Sequence, residues 1–315
     1  LEQKAVFGEV TWHTTDKLAL TVGTRWFDYD KVVTGETTDA WELINAFEKP
    51  RTSQEFSESD FMFKFNAAWE VDADMMVYAT AAEGFRPGGA NNVIGLEEML
   101  TGYQSDSLWN YEAGFKSSWL DRDVQFNAAA YLIDWENMQV RGRTTDGAFS
   151  FLSNAGTAQI TGLELESGWR VTDDFLLTGN MNFLNAELTA DQVSDVILAP
   201  GQDGDRIPYI PEVTAMIAAT WTLPALIDGF DGSVRADANY VGSSYSELRP
   251  DDTYYLKLDS YTLANVRFNL DNYDNGWGLS LYVNNLFDKN AITYISGSSS
   301  YPNVFASSAQ PRTVG

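Results

Sequence analysis

The sequence predicts an all-β protein, an antiparallel transmembrane β-barrel, and three observations carry that prediction. Polar and apolar residues alternate with period two, the alternating runs are long, and the connections between them alternate short and long. Period-two alternation sends successive side chains to opposite faces of a strand. About twelve runs of roughly 10–14 residues are legible, against the 5–6 usual in soluble sheets, and a strand tilted across a bilayer needs about 9–11. Short turns at one end and long loops at the other is the asymmetry of outer-membrane barrels.

The runs are read in chain order. Phe61, Phe63, Phe65, Ala67 and Trp69 oppose Met62, Lys64, Asn66, Ala68 and Glu70. Trp109, Tyr111, Ala113, Phe115, Ser117 and Trp119 oppose Asn110, Glu112, Gly114, Lys116 and Ser118. Val124, Phe126, Ala128, Ala130 and Leu132 oppose Gln125, Asn127 and Ala129, and Leu279, Leu281 and Val283 oppose Ser280, Tyr282 and Asn284. Short turns are expected at His13–Lys17, Val71–Asp74, Leu120–Asp123, Val171–Asp174, Pro224–Gly232 and Asp271–Gly276, most of them rich in Asp, Asn and Gly as tight turns require. Long connections are expected at Lys31–Ser57, Phe85–Asp106, Gly142–Asn154, Ala190–Pro211, Leu248–Lys257 and Lys289–Pro311. Aromatics gather near strand ends, at Trp26, Phe27, Tyr29, Tyr131, Trp135, Tyr240 and Tyr245, where amphipathic rings sit well between water and lipid. The chain stops at Pro311–Gly315, where another alternating strand begins. An unpaired edge is not tolerated in lipid, so more strands are expected beyond that point.

Composition narrows function by exclusion. Without Cys there is no disulfide scaffold and no thiolate metal site, and His13 alone cannot build a three-His zinc site. A net charge of −25 repels phosphate, so nucleic acid is not an expected partner. The carboxylate pairs Asp72/Asp74, Asp121/Asp123, Asp173/Asp174 and Asp251/Asp252 sit in turns, and turn chemistry explains them without acid–base work. Gly84-Phe85-Arg86-Pro87-Gly88-Gly89 lacks the pattern of a phosphate loop. No nucleophile–base pair stands out, so neither an enzyme, a resident metal nor a cofactor is expected.

Several stretches resemble the C-terminal part of the barrel of TonB-dependent outer-membrane receptors. They are Val77–Gly89, Asn110–Lys116, Ala128–Trp135, Asn154–Gly156, Ile160–Glu166 and Tyr282–Lys289, with Pro311–Gly315 resembling the entry to the family's last strand. The resemblance implies a barrel of about 22 strands whose lumen holds a separate N-terminal plug. Residues 1–315 are then the C-terminal portion, about twelve strands, with the plug and early strands outside it. It further implies residence in the outer membrane of a Gram-negative bacterium, in contact with lipid and lipopolysaccharide. The implied activity is active transport of a scarce ligand, a ferric siderophore being the expected class, with partners in the protein's own plug and the TonB energy-coupling protein. A passive porin-like channel, or a receptor for a glycan, cobalamin or haem, are the alternatives; the lack of His in the loops argues against haem.

Two groups of residues are candidates for that work. Arg86 at the start of an outer loop, with Asn91 and Asn92 beyond it, is placed to meet an anionic ligand. Gln139, Arg141 and Arg143 form a second polar group, either facing ligand or paired with neighbouring carboxylates. Glu164 and Glu166 alternate with Leu163 and Leu165, which puts both on the lumen face; with Lys116, Arg235 and Arg267 they are expected to form a charge network touching the plug.

Overall fold

The structure, a computed structural model, describes residues 1–37, 49–91, 101–143, 150–192, 197–272, 274–298 and 301–315. Strands β1 (Glu2–His13), β2 (Leu18–Thr37), β3 (Lys49–Asp72) and β4 (Met75–Arg86) follow one another as antiparallel neighbours. β5 (Gly89–Ala90) and β6 (Gly102–Tyr103) pair with each other before β7 (Asp106–Trp119) and β8 (Val124–Glu136) resume the main sheet. β9 (Gln139–Arg143) and β10 (Ser150–Asn154) form a hairpin, and β11 (Ala158–Thr172), β12 (Phe175–Leu188), β13 (Val213–Ile227) and β14 (Phe230–Val241) continue the wall. β15 (Ser244–Tyr245) pairs with β16 (Lys257–Leu258), β17 (Tyr261–Asn272) and β18 (Trp277–Asn284) return to the wall, and β19 (Ile292–Ser298) pairs with β20 (Tyr301–Ser308). β21 (Thr313–Val314) closes the described part of a 13-stranded sheet without a crossover. The alternating strand expected at the C-terminus is there, two residues long and hydrogen-bonded to β18.

The register confirms the two faces. In-register rows run Val10–Val22–Phe65 across β1–β3 and Trp221–Val234–Phe268–Leu281 across β13, β14, β17 and β18. Most of these side chains stand exposed (Val10 72%, Phe65 45%, Trp221 54%), with Val234 and Phe268 half-buried, because the wall is one sheet thick and their solvent is lipid. The opposite face carries Glu112, Lys116, Asn127, Glu166, Asn180 and Asn239. Here two glycines are required by close approach. Tyr78 lies directly across from Gly114 and Tyr131 across from Gly162, and a Cβ at either glycine would overlap the tyrosine ring.

The short turns fall where expected, although the turn after β13 narrows to the residues between Ile227 and Phe230. Four of the six long connections, Lys31–Ser57, Phe85–Asp106, Gly142–Asn154 and Lys289–Pro311, differ from expectation in carrying strands of their own. Lys31–Ser57 is largely a continuation of the β2–β3 hairpin, whose ladder runs to Thr37 and Lys49. Its Cα pairs include Thr34 with Ser53 and Gly35 with Thr52, so no apolar row advertises it.

The conventional core lies at the long-loop end rather than in the wall. Met138, Ala155, Ala158 and Leu188 are buried together, with Trp135, Val140, Ile207 and Leu248 packed around them. A barrel wall offers only lipid on one side and lumen on the other, so loops folding over the mouth supply the dry interior.

Candidate ligand-binding site

The loops that build this core also enclose a cavity of about 300 Å³ at the mouth of the wall, beside Arg86, Trp135, Arg141, Tyr209, Glu247 and Tyr294. Its floor is fixed by a clip across β4, β7 and β9. Asp106, 2% exposed, faces Arg86 in the β4–β7 register. The Asp106 carboxylate accepts from Arg86 Nε (2.9 Å), from the Arg86 backbone N–H (3.1 Å) and from the Gln139 backbone N–H (3.0 Å), and Arg86 Nη2 also bonds it. The guanidinium lies 4.7 Å from the Trp135 ring. The Gln139 amide donates to the carbonyls of Gln104 (3.0 Å) and Pro87 (3.2 Å).

Above the floor, Arg143 Nη2 bonds Glu247 at 2.5 Å, and its guanidinium sits 4.5 Å from the Tyr254 ring. Burial pushes the Glu247 carboxyl above its ordinary range, while Arg143 pulls it back. On the opposite side Tyr209 and Tyr294 stack, centroids 5.1 Å apart and planes 21° apart. Arg141 Nη1 donates to the Tyr294 hydroxyl at 3.3 Å. The Tyr209 hydroxyl donates to the Ile295 carbonyl at 2.5 Å, and burial, reinforced by Tyr294, pushes its phenol up to about 12. Tyr209 holds φ at +62°, an uncommon conformation for a bulky residue that is tolerated where surrounding structure enforces it.

The Tyr209 shift has a measurable sign. The phenol titrates higher folded than unfolded, so its contribution is whole below the ordinary tyrosine value of 10 and is lost as pH climbs through about 12. A difference ultraviolet titration of the parent against Tyr209→Phe should show one phenol ionising only near the upper value; ionisation near 10 would show that the ring is solvated.

The predicted ligand residues thus separate by their contacts. Arg86 and Gln139 reach the cavity wall with their polar groups spent on Asp106 and on loop carbonyls. Arg143 belongs to the Glu247 pair, the second of the two readings left open for it. Asn91 makes reciprocal bonds with the Leu152 backbone, 2.7 and 2.8 Å, joining two loops. Asn92 lies outside the described residues. Arg141 remains as the exposed cation at the mouth. The tyrosine stack, Asp106 and Glu247 escape a sequence reading, and Trp135, expected as an aromatic between water and lipid, lines the cavity instead. One local signal existed: Tyr209 is bracketed by Pro208 and Pro211, which restrict the backbone on both sides.

On the lumen face, the five charged residues fall into two groups. Lys116, Glu164 and Glu166 share a patch with Tyr78 and Glu112: the Tyr78 hydroxyl donates to Glu112 (2.7 Å), Lys116 Nζ sits 5.9 Å from the Tyr78 ring, and Asn127 donates to Glu166 (3.4 Å). Arg235 and Arg267 are direct cross-strand partners near the short-turn end. Arg235 donates to Thr220 (3.3 Å) and stands 3.9 Å from Asp237, and Arg267 lies 5.1 Å from the Tyr282 ring. Like charges directly opposite one another are destabilising, and Asp237 beside Arg235 and the Tyr282 ring beside Arg267 offset part of that cost.

Comparison with known proteins agrees with this architecture. The chain is 29% identical over 313 residues to the pesticin receptor of Yersinia pestis, covering 96% of this chain and 42% of that protein. It is 26% identical over 246 residues to a probable TonB-dependent siderophore receptor, PiuA, of Acinetobacter baumannii, covering 75% of this chain and 30% of that one. Among solved structures, the ferric yersiniabactin uptake receptor FyuA of Yersinia pestis superposes with a TM-score of 0.78 at 24% identity, over 99% of this chain and 44% of that one. The chain therefore spans about two fifths of the length of the pesticin receptor and under a third of that of PiuA. The model of the TonB dependent receptor-like β-barrel matches residues 1–286, and with the strand order, the lipid-facing apolar rows and the loop-covered mouth all in place, the chain belongs to that outer-membrane family.

Proposed function

We propose that this chain is the C-terminal portion of the barrel of an outer-membrane receptor that imports a ferric siderophore, driven by TonB. The observation that carries this reading is the family match over residues 1–286, joined to relatives named as siderophore receptors. The mouth cavity supports it, since loops over a barrel lumen are where a scarce ligand would be captured before entry. In this reading a plug and further strands complete the barrel, and β1 and β21, each with one described neighbour, are the edges they join. The lumen patches around Glu164 and around Arg235 and Arg267 then face the plug, whose opposite charges would add to Asp237 in offsetting the Arg235–Arg267 repulsion. Polar contacts of that kind suit a domain that must move, because each exchanges readily for water. TonB would engage a segment outside residues 1–315.

Uptake of radioactive iron tests the reading. Iron-starved cells lacking the gene should fail to take up iron from one class of siderophore. Collapse of the inner-membrane proton gradient should abolish uptake in the parent. Uptake that survives the collapse would mean a passive channel.

A further inference from the structure

We infer that the mouth cavity is a subsite for one flat aromatic arm of the ligand, carrying a negatively charged oxygen at its edge: a phenolate or aryl carboxylate rather than an aliphatic hydroxamate or citrate. This rests on the siderophore reading above and names the chemical class within it.

Four features of the cavity carry the inference. Its volume of about 300 Å³ lies at the small end of ligand pockets, so it takes one ring with its substituents rather than a whole iron complex. Its lining is mainly apolar, with Met138, Ile197, Ile207, Ile210 and Leu248 on the walls, which disfavours a polar aliphatic chelator. The near-parallel Tyr209 and Tyr294 rings both line the space, and further rings add favourably to such a stack. The polar groups, last, set three guanidinium groups, of Arg86, Arg141 and Arg143, against the carboxylates of Glu247 and Asp252, a balance that leaves one positive charge over. Glu247 is bonded to Arg143, and the Asp252 carboxylate accepts the Tyr254 backbone N–H at 2.7 Å in its own turn. Arg141 lines the cavity with no carboxylate in ion-pair range among the described residues, its bond being to the Tyr294 hydroxyl. The indole N–H of Trp135 is buried with no acceptor among the described residues. A buried donor left unmade is costly, so a ligand oxygen that accepts it gains more than the same bond would in water. An aryl ring bearing an oxyanion matches the slot, the Arg141 charge and the Trp135 N–H.

The test uses the full-length receptor in outer-membrane vesicles and three probes: iron(III)–salicylate, iron(III)–desferrioxamine B, a trihydroxamate, and iron(III)–citrate. Salicylate should bind tightest and quench tryptophan fluorescence. Arg141→Gln should weaken salicylate binding about 10–100-fold, the usual scale for a charge-assisted hydrogen bond. Trp135→Phe keeps a ring beneath Arg86 and deletes only the N–H, and should cost about 3–10-fold. Arg141 is exposed, so its variant should fold, and an unchanged trypsin digestion pattern would verify this for both. Hydroxamate or citrate binding as well as salicylate, or salicylate binding unchanged in both variants, overturns the aryl subsite and leaves the siderophore reading standing. Binding of none of the probes, together with no siderophore-dependent iron uptake in the cell assay, overturns both.

Discussion

Ile217→Arg is expected to cost about 2–4 kcal/mol of barrel stability, whereas Met216→Arg next to it should cost at most about 1 kcal/mol. The two positions are adjacent on β13 and differ in the face they present. Ile217 is 62% exposed, in a cross-strand row with Gly179 and Ala238, on the face that carries Trp221 and Phe183. An arginine there must either enter hydrocarbon or bend its guanidinium to the headgroups. Met216 faces the lumen, flanked by Asn180 and Asn239, where a guanidinium stays hydrated and has polar neighbours. Urea titration of the full-length receptor refolded into lipid vesicles reads both values. Equal costs would mean that the wall is not a lipid-facing sheet in this register. A reversed order would mean that the faces are exchanged, since a one-residue slip moves every side chain to the other side.

The same physics decides how much of the protein can be read from its sequence. Lipid demands an apolar outward face and the lumen tolerates a polar one, so each membrane strand writes its register into the alternation, as Phe61 to Trp69 shows. Above the bilayer that demand ends. The upper β2–β3 hairpin is held by its backbone ladder, with Thr34 bonding Ser53 across the pair at 3.1 Å, so it reads as loop although it is strand. β5, β6, β15 and β16 are two residues each, too short for any period to appear. The site follows the same division. Arg141 is visible because it is a cation at a strand end. The Tyr209–Tyr294 stack joins residues 85 positions apart through two loops, and nothing local announces it. Asp106 was hidden for a subtler reason: its partnership with Arg86 follows at once from the β4–β7 register, which the residues between the two strands obscure.

That partnership carries the second large effect. Arg86→Ala should destabilise the mouth by about 2–4 kcal/mol, because it strands a carboxylate that is almost wholly buried. The lower part of that range is favoured by the two backbone N–H groups, of Arg86 and Gln139, which still bond Asp106. Asp106→Asn alone should cost about 1.5–3 kcal/mol through loss of charge-assisted bonds. Arg86 side-chain exposure of 47% lets its freed guanidinium reach water, so Asp106→Asn should be the milder change. The double variant should cost clearly less than the sum, with a coupling of about 1.5 kcal/mol or more. Arg86→Lys should recover only part of the loss, since an ammonium cannot bond the carboxylate through two nitrogens or lie flat on Trp135. Hydrogen exchange at Gln139–Arg143 is the direct readout, because Asp106 holds the Gln139 N–H and so the start of β9. Faster exchange there in Arg86→Ala, with the β11–β14 wall unchanged, places the effect at the mouth. If β9 stays protected and the two substitutions add without coupling, the Arg86–Asp106 pair is a surface contact and the cavity floor is held by the Gln139 amide bonds instead.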